Sequence, residues 1–426
     1  MICEILSVGT ELLMGQIANT DAQYISSRLS EFGISVYRQV TVGDNPQRVK
    51  EALNTALSRS DLVITTGGLG PTEDDLTKEM VAEYFGLPME LHQPSLDALT
   101  ERIRRYHPGR PVTENNLKQA YFPKGAVIMK NSCGTAPGCI VERDGKAVAV
   151  LPGPPREMRA MFEGELTAYL EKISDVRIHS RFLKIFGVGE SNVESILQDL
   201  FHLENPTLAL YCGTNEVQAR MSVQLPKGED PGRVFDPVER EIRRRLGDAV
   251  YAVGRGETIE STVFRLLRDR KKTVVFAESC TGGLLASMLI ENAGASDVLR
   301  ESYVTYGEET KVRILGVRQR TVDTVGVVST ECAAEMAEGA RRISGADYAV
   351  SVTGVAGPDG GTPENPVGTV YVGVADERGT CVKRFCFLGD RDRSWVRNLA
   401  AAAAFNMLRL RILGREIEGA QECAKG

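Results

Sequence analysis

The first 172 residues alternate short apolar runs with segments of helical spacing. Glu4–Val8 reads as a strand, Asp21–Phe32 as a helix closed by Gly33, and Ile34–Val42 as a second strand. Pro46–Ser58 reads as a helix opened by its proline, and the apolar run 61–66 as a buried strand leading into Gly67-Gly68. Strands that alternate so closely with helices predict a parallel sheet covered on both faces. Ligands of such sheets sit beyond the carboxyl ends of the strands, where the loop 65–77 falls.

Residues 173–254 break this rhythm. They carry ten Lys/Arg against twelve Asp/Glu and a turn-rich stretch at 227–232, and they read as a small α+β module. From about Thr258 to Leu413 the alternation returns. Its predicted strands are Thr273–Ala277, Ala346–Val352 and Thr369–Ala375, with helices at Ser261–Asp269 and Thr330–Ser344 and an alanine-rich one around Asn398–Leu408. The expected class is therefore α/β. Two three-layer α/β/α domains, 1–172 and 255–414, are joined by the module at 173–254 and followed by a polar tail at 415–426.

Composition narrows the function classes. At 426 residues the chain exceeds one ordinary core. A net charge of −6 and a pI near 5.6 argue against a general electrostatic grip on nucleic acid. No apolar run approaches the ~20 residues of a membrane span. The start, Met1–Val8, lacks a basic region ahead of its apolar stretch, so no secretion signal is expected and the cytoplasm is the expected location. The nine cysteines contain no CxxC, and the closest pairs, Cys133/Cys139 and Cys381/Cys386, have no nearby histidine. Scattered reduced thiols are expected, without structural zinc.

Two stretches carry candidate chemistry. In "AESCTGGLLAS" (277–287) a hydroxyl, Ser279, and a thiol, Cys280, sit where an apolar strand turns into a helix. Gly282 and Gly283 leave room for a substrate, and Thr281 with the free N–H groups of the helix offers an anion or oxyanion site. No histidine lies beyond His202, so a base must come from elsewhere. Lysine is scarce here: Lys271, Lys272, Lys311 and Lys383. Lys311 alone shares a motif with another candidate, Tyr306, although on its own it reads as a solvated helix lysine. In "GGLGPTEDDLT" (67–77), glycines allow close approach to a ligand while Glu73, Asp74 and Asp75 crowd the same loop. A phosphate there needs a hard cation between it and the carboxylates. The alternative is that Asp74 and Asp75 cap the following helix.

Residues 1–172 resemble the molybdopterin-binding fold of the MoaB/MogA type, matching its loop at Gly67, Gly68, Gly70, Asp75 and Thr77. The version GGLGPT.DD.T, with "VGTELLMGQIANTD", "NSCGTAPG" and "LPGPPREM", is similar to the CinA family (competence/damage-inducible protein A). "AESCTGG", "YVTYGEETK", "SVTGVAGPDGG", "NPVGTVYVGVA" and "GDRDR" resemble that family's C-terminal domain, so nearly the whole chain is covered. The middle module resembles a KH-like domain, yet Gly187-Val188-Gly189 lacks the GxxG clamp.

The resemblance implies a C-terminal deamidase that converts nicotinamide mononucleotide (NMN) to nicotinate mononucleotide and ammonia without a cofactor. By position it makes Ser279 the nucleophile, Lys311 its base and Tyr306 a relay or orienter. Thr281, Gly282, Gly283, Gly354 and Gly357 would line the substrate, with Arg391 or Arg393 on the phosphate. For the N-terminal domain it implies metal-dependent cleavage of ADP-ribose. There Asp44, Asp74 and Asp75 would hold a divalent ion such as Mg²⁺, and Gly67, Gly68, Gly70, Thr72 and Gly153 would line the ligand. It also implies a homodimer. Gly307-Glu308 departs from the Ser-Asn of many relatives, placing a carboxylate where an amide stands. Two other readings remain: a non-catalytic molybdopterin- or nucleotide-binding protein, and direct action on DNA, against which the acidity weighs.

Overall fold

A computed structural model describes residues 1–106, 113–213, 215–387 and 392–423. Its contacts divide the chain into two units, Met1–Ser180 with Val223–Pro231, and Arg181–Ser222 with Gly232–Gly426. Among the described residues no helix is long and apolar enough to cross a membrane.

The first unit is built on β1 (Ile2–Val8), β2 (Ser35–Val42), β3 (Leu62–Thr66), β4 (Met89–Leu91), β5 (Tyr121–Pro123), β6 (Val127–Met129), β7 (Gly138–Arg143) and β8 (Lys146–Leu151). Six of these form one sheet in the order β2-β1-β3-β8-β7-β6, and β4 pairs with β5. The expected parallel pairing holds for β2, β1, β3 and β8. It fails for β7 and β6, which run antiparallel to their neighbours. Asp144 and Gly145 explain the reversal of β7 against β8. Both have positive φ, 52° and 75°, the geometry of a two-residue hairpin turn, and a turn that short can only join antiparallel strands.

Further along the chain, β9 (Val176–Ile185), β10 (Thr207–Cys212), β11 (Val217–Pro226) and β12 (Val250–Val253) form a four-stranded sheet ordered β10-β11-β9-β12. The second unit continues with β13 (Val274–Glu278), β14 (Leu299–Val304), β15 (Tyr348–Gly354), β16 (Thr369–Asp376), β17 (Gly379–Cys386) and β18 (Gln421–Cys423), ordered β14-β13-β15-β16-β17-β18. β13 is parallel to both its neighbours, and β16, β17 and β18 are antiparallel.

Strand β13 is apolar up to its last residue because helices cover both its faces. Val274 and Phe276 pack into one core with the helices Ile259–Asp269, Leu284–Ile290 and Arg393–Ile412, where Phe276 meets Phe405 edge-on at 5.8 Å. Val275 and Ala277 enter the opposite core with Leu315 and the helix Thr330–Ser344. This period-2 alternation decides where the residues after the strand point.

On that second face a short helix, Glu308–Thr310, widens into the π-turn Lys311–Leu315 and stops at Gly316, whose φ is 74°. The Thr330–Ser344 helix lies so close that a Cβ on Gly339 would sit 1.9 Å from Leu315 O. Gly339→Ala must therefore push the Lys311-bearing segment outward. We expect it to lower the unfolding free energy by about 1–3 kcal/mol in denaturant titration. An unchanged midpoint would mean that the two segments are not packed this tightly.

Candidate functional site

At the end of β13 the chain continues its alternation. Glu278 points to the Leu284–Ile290 side, and its carboxylate accepts hydrogen bonds from the backbone N–H groups of Gly283 (3.0 Å), Leu285 (3.1 Å) and Ala286 (3.1 Å). It is wholly buried. The helix N–H groups expected to be open to an anion are thus already taken by a side chain of the same turn. Sequence reasoning missed this residue. The available signal was a carboxylate closing an otherwise apolar strand one residue before the nucleophile candidate.

Ser279 faces the other way, toward Lys311. Lys311 Nζ lies 3.0 Å from Ser279 Oγ, 2.7 Å from Thr305 O and 3.2 Å from Tyr306 O. Lys311 is only 1% exposed, and none of these three partners is a carboxylate. Burial, with no carboxylate in contact, pushes its pKa below the ordinary lysine value. A neutral amine suits the set well: two N–H groups serve the two carbonyls, and the lone pair faces the serine hydroxyl. Lys311 is therefore not the solvated helix lysine that its local sequence suggests.

Cys280 returns to the Phe276 side and belongs to its apolar core. Burial pushes its thiol up to about 11, so it holds its proton near neutrality. Alternation along the chain separates hydroxyl from thiol, and only the hydroxyl meets the lysine.

The remaining residues divide between lining and framework. Gly282 and Gly283 are left-handed, φ 61° and 93°, and a Cβ placed on either would meet no neighbour closer than 3.7 Å, so they do leave space. Gly354 and Gly357 instead serve packing, since a Cβ there would lie 2.5 Å from Thr369 O and from Val367 Cγ1 respectively. Thr281 Oγ1 is buried and unpartnered among the described residues. Tyr306 contributes its carbonyl, not its phenol, to the lysine. Its hydroxyl accepts from Arg393 Nη2 at 2.9 Å, while Arg393 Nη1 donates to Gly357 O at 2.7 Å. Arg391 lies outside the described residues. One turn beyond Arg393, Arg397 donates to Thr281 O at 2.7 Å. Its i,i+4 spacing from Arg393 was the unused signal.

The N-terminal loop is organised differently. Thr77 Oγ1 donates to Gly67 O, and a Cβ on Gly67, Gly68 or Gly70 would strike Val8 O, Thr77 Oγ1 or Asp75 Oδ2 within 2.4 Å. Gly153 packs beside Gly67. Asp75 accepts from Thr72 N at 3.0 Å and from Thr72 Oγ1, which also points to Asp74. Neither aspartate caps the next helix, whose first turn follows Leu76 without a side-chain cap. Asp44 accepts from Thr10 N and Oγ1. Lys118 Nζ donates to Thr72 O and Asp75 O, bringing a cation onto the loop. Among the described residues no three acidic, histidine or cysteine side chains come together as a metal group. Two aspartates gathered on the Thr72 hydroxyl with a lysine ammonium on the same loop do not fit a resident divalent ion.

The fold and site define a multidomain α/β protein whose C-terminal sheet presents a buried serine–lysine pair. Residues 4–172 match the probable molybdopterin binding domain, 180–252 the damage-inducible protein CinA KH domain, and 256–412 the CinA C-terminal domain. A relative from Clostridium novyi (strain NT), named as a putative competence-damage inducible protein, is 48% identical over 419 residues, covering 98% of this chain and 100% of its own. A CinA-like protein from Kosmotoga olearia is 47% identical, covering 97% of this chain and 99% of its own. A solved chain from Agrobacterium tumefaciens, competence/damage inducible protein CihA, is 39% identical and covers 36% of this chain and 95% of that one, with a TM-score of 0.35. The chain belongs to the CinA family.

Removing the Glu278 carboxylate strands three N–H groups at a buried turn. Glu278→Ala is expected to cost about 1–3 kcal/mol of stability in denaturant titration. Full stability in that variant would show that the cap is not what holds the turn.

Proposed function

We propose that the C-terminal domain is an amide hydrolase that deamidates NMN to nicotinate mononucleotide and ammonia. The observation that carries this reading is the buried Lys311 amine 3.0 Å from Ser279 Oγ with no carboxylate among its partners. A serine hydroxyl is a weak nucleophile until a neighbour takes its proton, and a lysine can do so only when neutral. Burial moves Lys311 toward that condition.

In the proposed reaction Ser279 Oγ attacks the carboxamide carbon as Lys311 Nζ takes the hydroxyl proton. The tetrahedral adduct collapses when the Lys311 ammonium returns that proton to the departing nitrogen, releasing ammonia and leaving an ester on Ser279. Water then attacks the ester, Lys311 accepts its proton, and the serine is released as the carboxylate product forms. The carbonyls of Thr305 and Tyr306 hold the amine in place through both half-reactions. With the N–H groups of Gly283, Leu285 and Ala286 occupied by Glu278, the amide of Thr281, for which no acceptor is found among the described residues, is the donor assigned to the developing oxyanion.

Ammonia release from NMN by the purified protein separates this reading from a non-catalytic binding role. Ser279→Ala and Lys311→Ala should each reduce turnover by roughly 10³ or more, and the double variant should lose little further because the two act as a unit. Cys280→Ala should stay active. Activity should rise with pH as the Lys311 ammonium loses its proton and then level off, with the rise set below the usual lysine range. Circular dichroism confirms folding. An active Ser279→Ala beside an inert Cys280→Ala would make this a thiol enzyme.

A further inference from the structure

The Glu278 carboxylate of the Ser279–Cys280–Thr281 turn is buried and taken up by backbone N–H groups, and the permanent charges that otherwise meet the turn are arginines. Arg397 touches Thr281, and Arg393 spans Gly357 and Tyr306. The arginine contacts found there are to carbonyls and a phenol, with no carboxylate among them. Such a set suits a phosphate. It repels the other end of the proposed substrate, because the ring that carries the reacting amide is a pyridinium cation. One uncompensated like charge at roughly 6 Å and an effective dielectric of about 20 would weaken binding by roughly a hundredfold.

The loop that wraps the lysine supplies an opposing charge. Thr305 and Tyr306 give their carbonyls to Nζ, Gly307 O accepts from Lys311 N, and Glu308 begins the short helix that carries the lysine. Glu308 is exposed. None of the ion pairs found among the described residues includes it, and its field reaches both Lys311 and Cys332. Two residues before it, the Tyr306 ring is 61% exposed with its hydroxyl fixed by Arg393, leaving an aromatic face of the kind that attracts cations.

Resting on the deamidase reading above, we propose that Glu308, two residues along the same loop from Tyr306, is the specificity residue for the positively charged pyridinium ring. The site then reads a dipolar substrate, with the cationic ring toward Glu308 and the phosphate toward Arg393 and Arg397.

The test compares NMN with its 1,4-dihydropyridine counterpart, which keeps the amide and the phosphate but has an uncharged ring. Rates are taken on the alkaline plateau, because losing the Glu308 charge also makes Lys311 easier to deprotonate. Glu308→Gln should raise KM for NMN about tenfold with kcat within about twofold, and leave kcat/KM for the dihydropyridine within about twofold of the wild type. Glu308→Asp should restore most of the lost affinity. Equal losses on both substrates would make Glu308 a general positioning residue, and no loss on either would remove it from the site; each overturns the proposal while the deamidase reading stands. A wild-type protein that releases no ammonia from NMN would defeat the earlier reading, and this one with it.

Discussion

A lysine amine buried with no carboxylate among its hydrogen-bond partners is the constraint around which the C-terminal domain is arranged. Taking an ammonium out of water costs free energy unless the group is paired or sheds its proton. The structure withholds a carboxylate from Lys311 and gives it two carbonyls and a hydroxyl instead. That choice favours the neutral amine, the form with a lone pair to offer Ser279. The framework then keeps the amine where it is. The π-turn and Gly316 set the segment's path, and the bare backbone at Gly339 lets the neighbouring helix close over it.

The strand that presents the serine solves a second problem by the same economy of means. Three consecutive residues after Ala277 go to three different tasks because side chains alternate. Glu278 ties down the following helix, Ser279 meets the lysine, and Cys280 fills the core. The glutamate cap rigidifies the turn and removes the helix end as an anion site. The side-chain cations that meet this turn from elsewhere are the arginines at the start of the Arg393–Ile412 helix.

Much of this was legible in the residues. The period-2 and helical patterns located β1, β3, β13, β15 and β16 to within two residues, and the glycines marked the turns. What escaped was non-local or depended on a single atom. Lys311 looks solvated in its own segment, since its burial is created by a helix some twenty residues later. Tyr306 suggested a phenol near the base, whereas its backbone carbonyl holds the lysine and its hydroxyl holds Arg393. The acidic loop offered a helix cap as one reading, yet Thr72 takes both aspartates into a turn. Period alone also could not reveal that β7 reverses direction, although the Asp144-Gly145 pair carried that signal.

The central claim is that Ser279, assisted by Lys311, forms the covalent bond to the substrate. The most direct measurement is acid quench of the working protein with NMN, followed by peptide mass mapping. Quenching within the first turnover catches the ester before water removes it. The account predicts a nicotinoyl mononucleotide ester on Ser279 that is absent when Lys311 is replaced by alanine. An adduct on Cys280, or the same yield on Ser279 without Lys311, would contradict it.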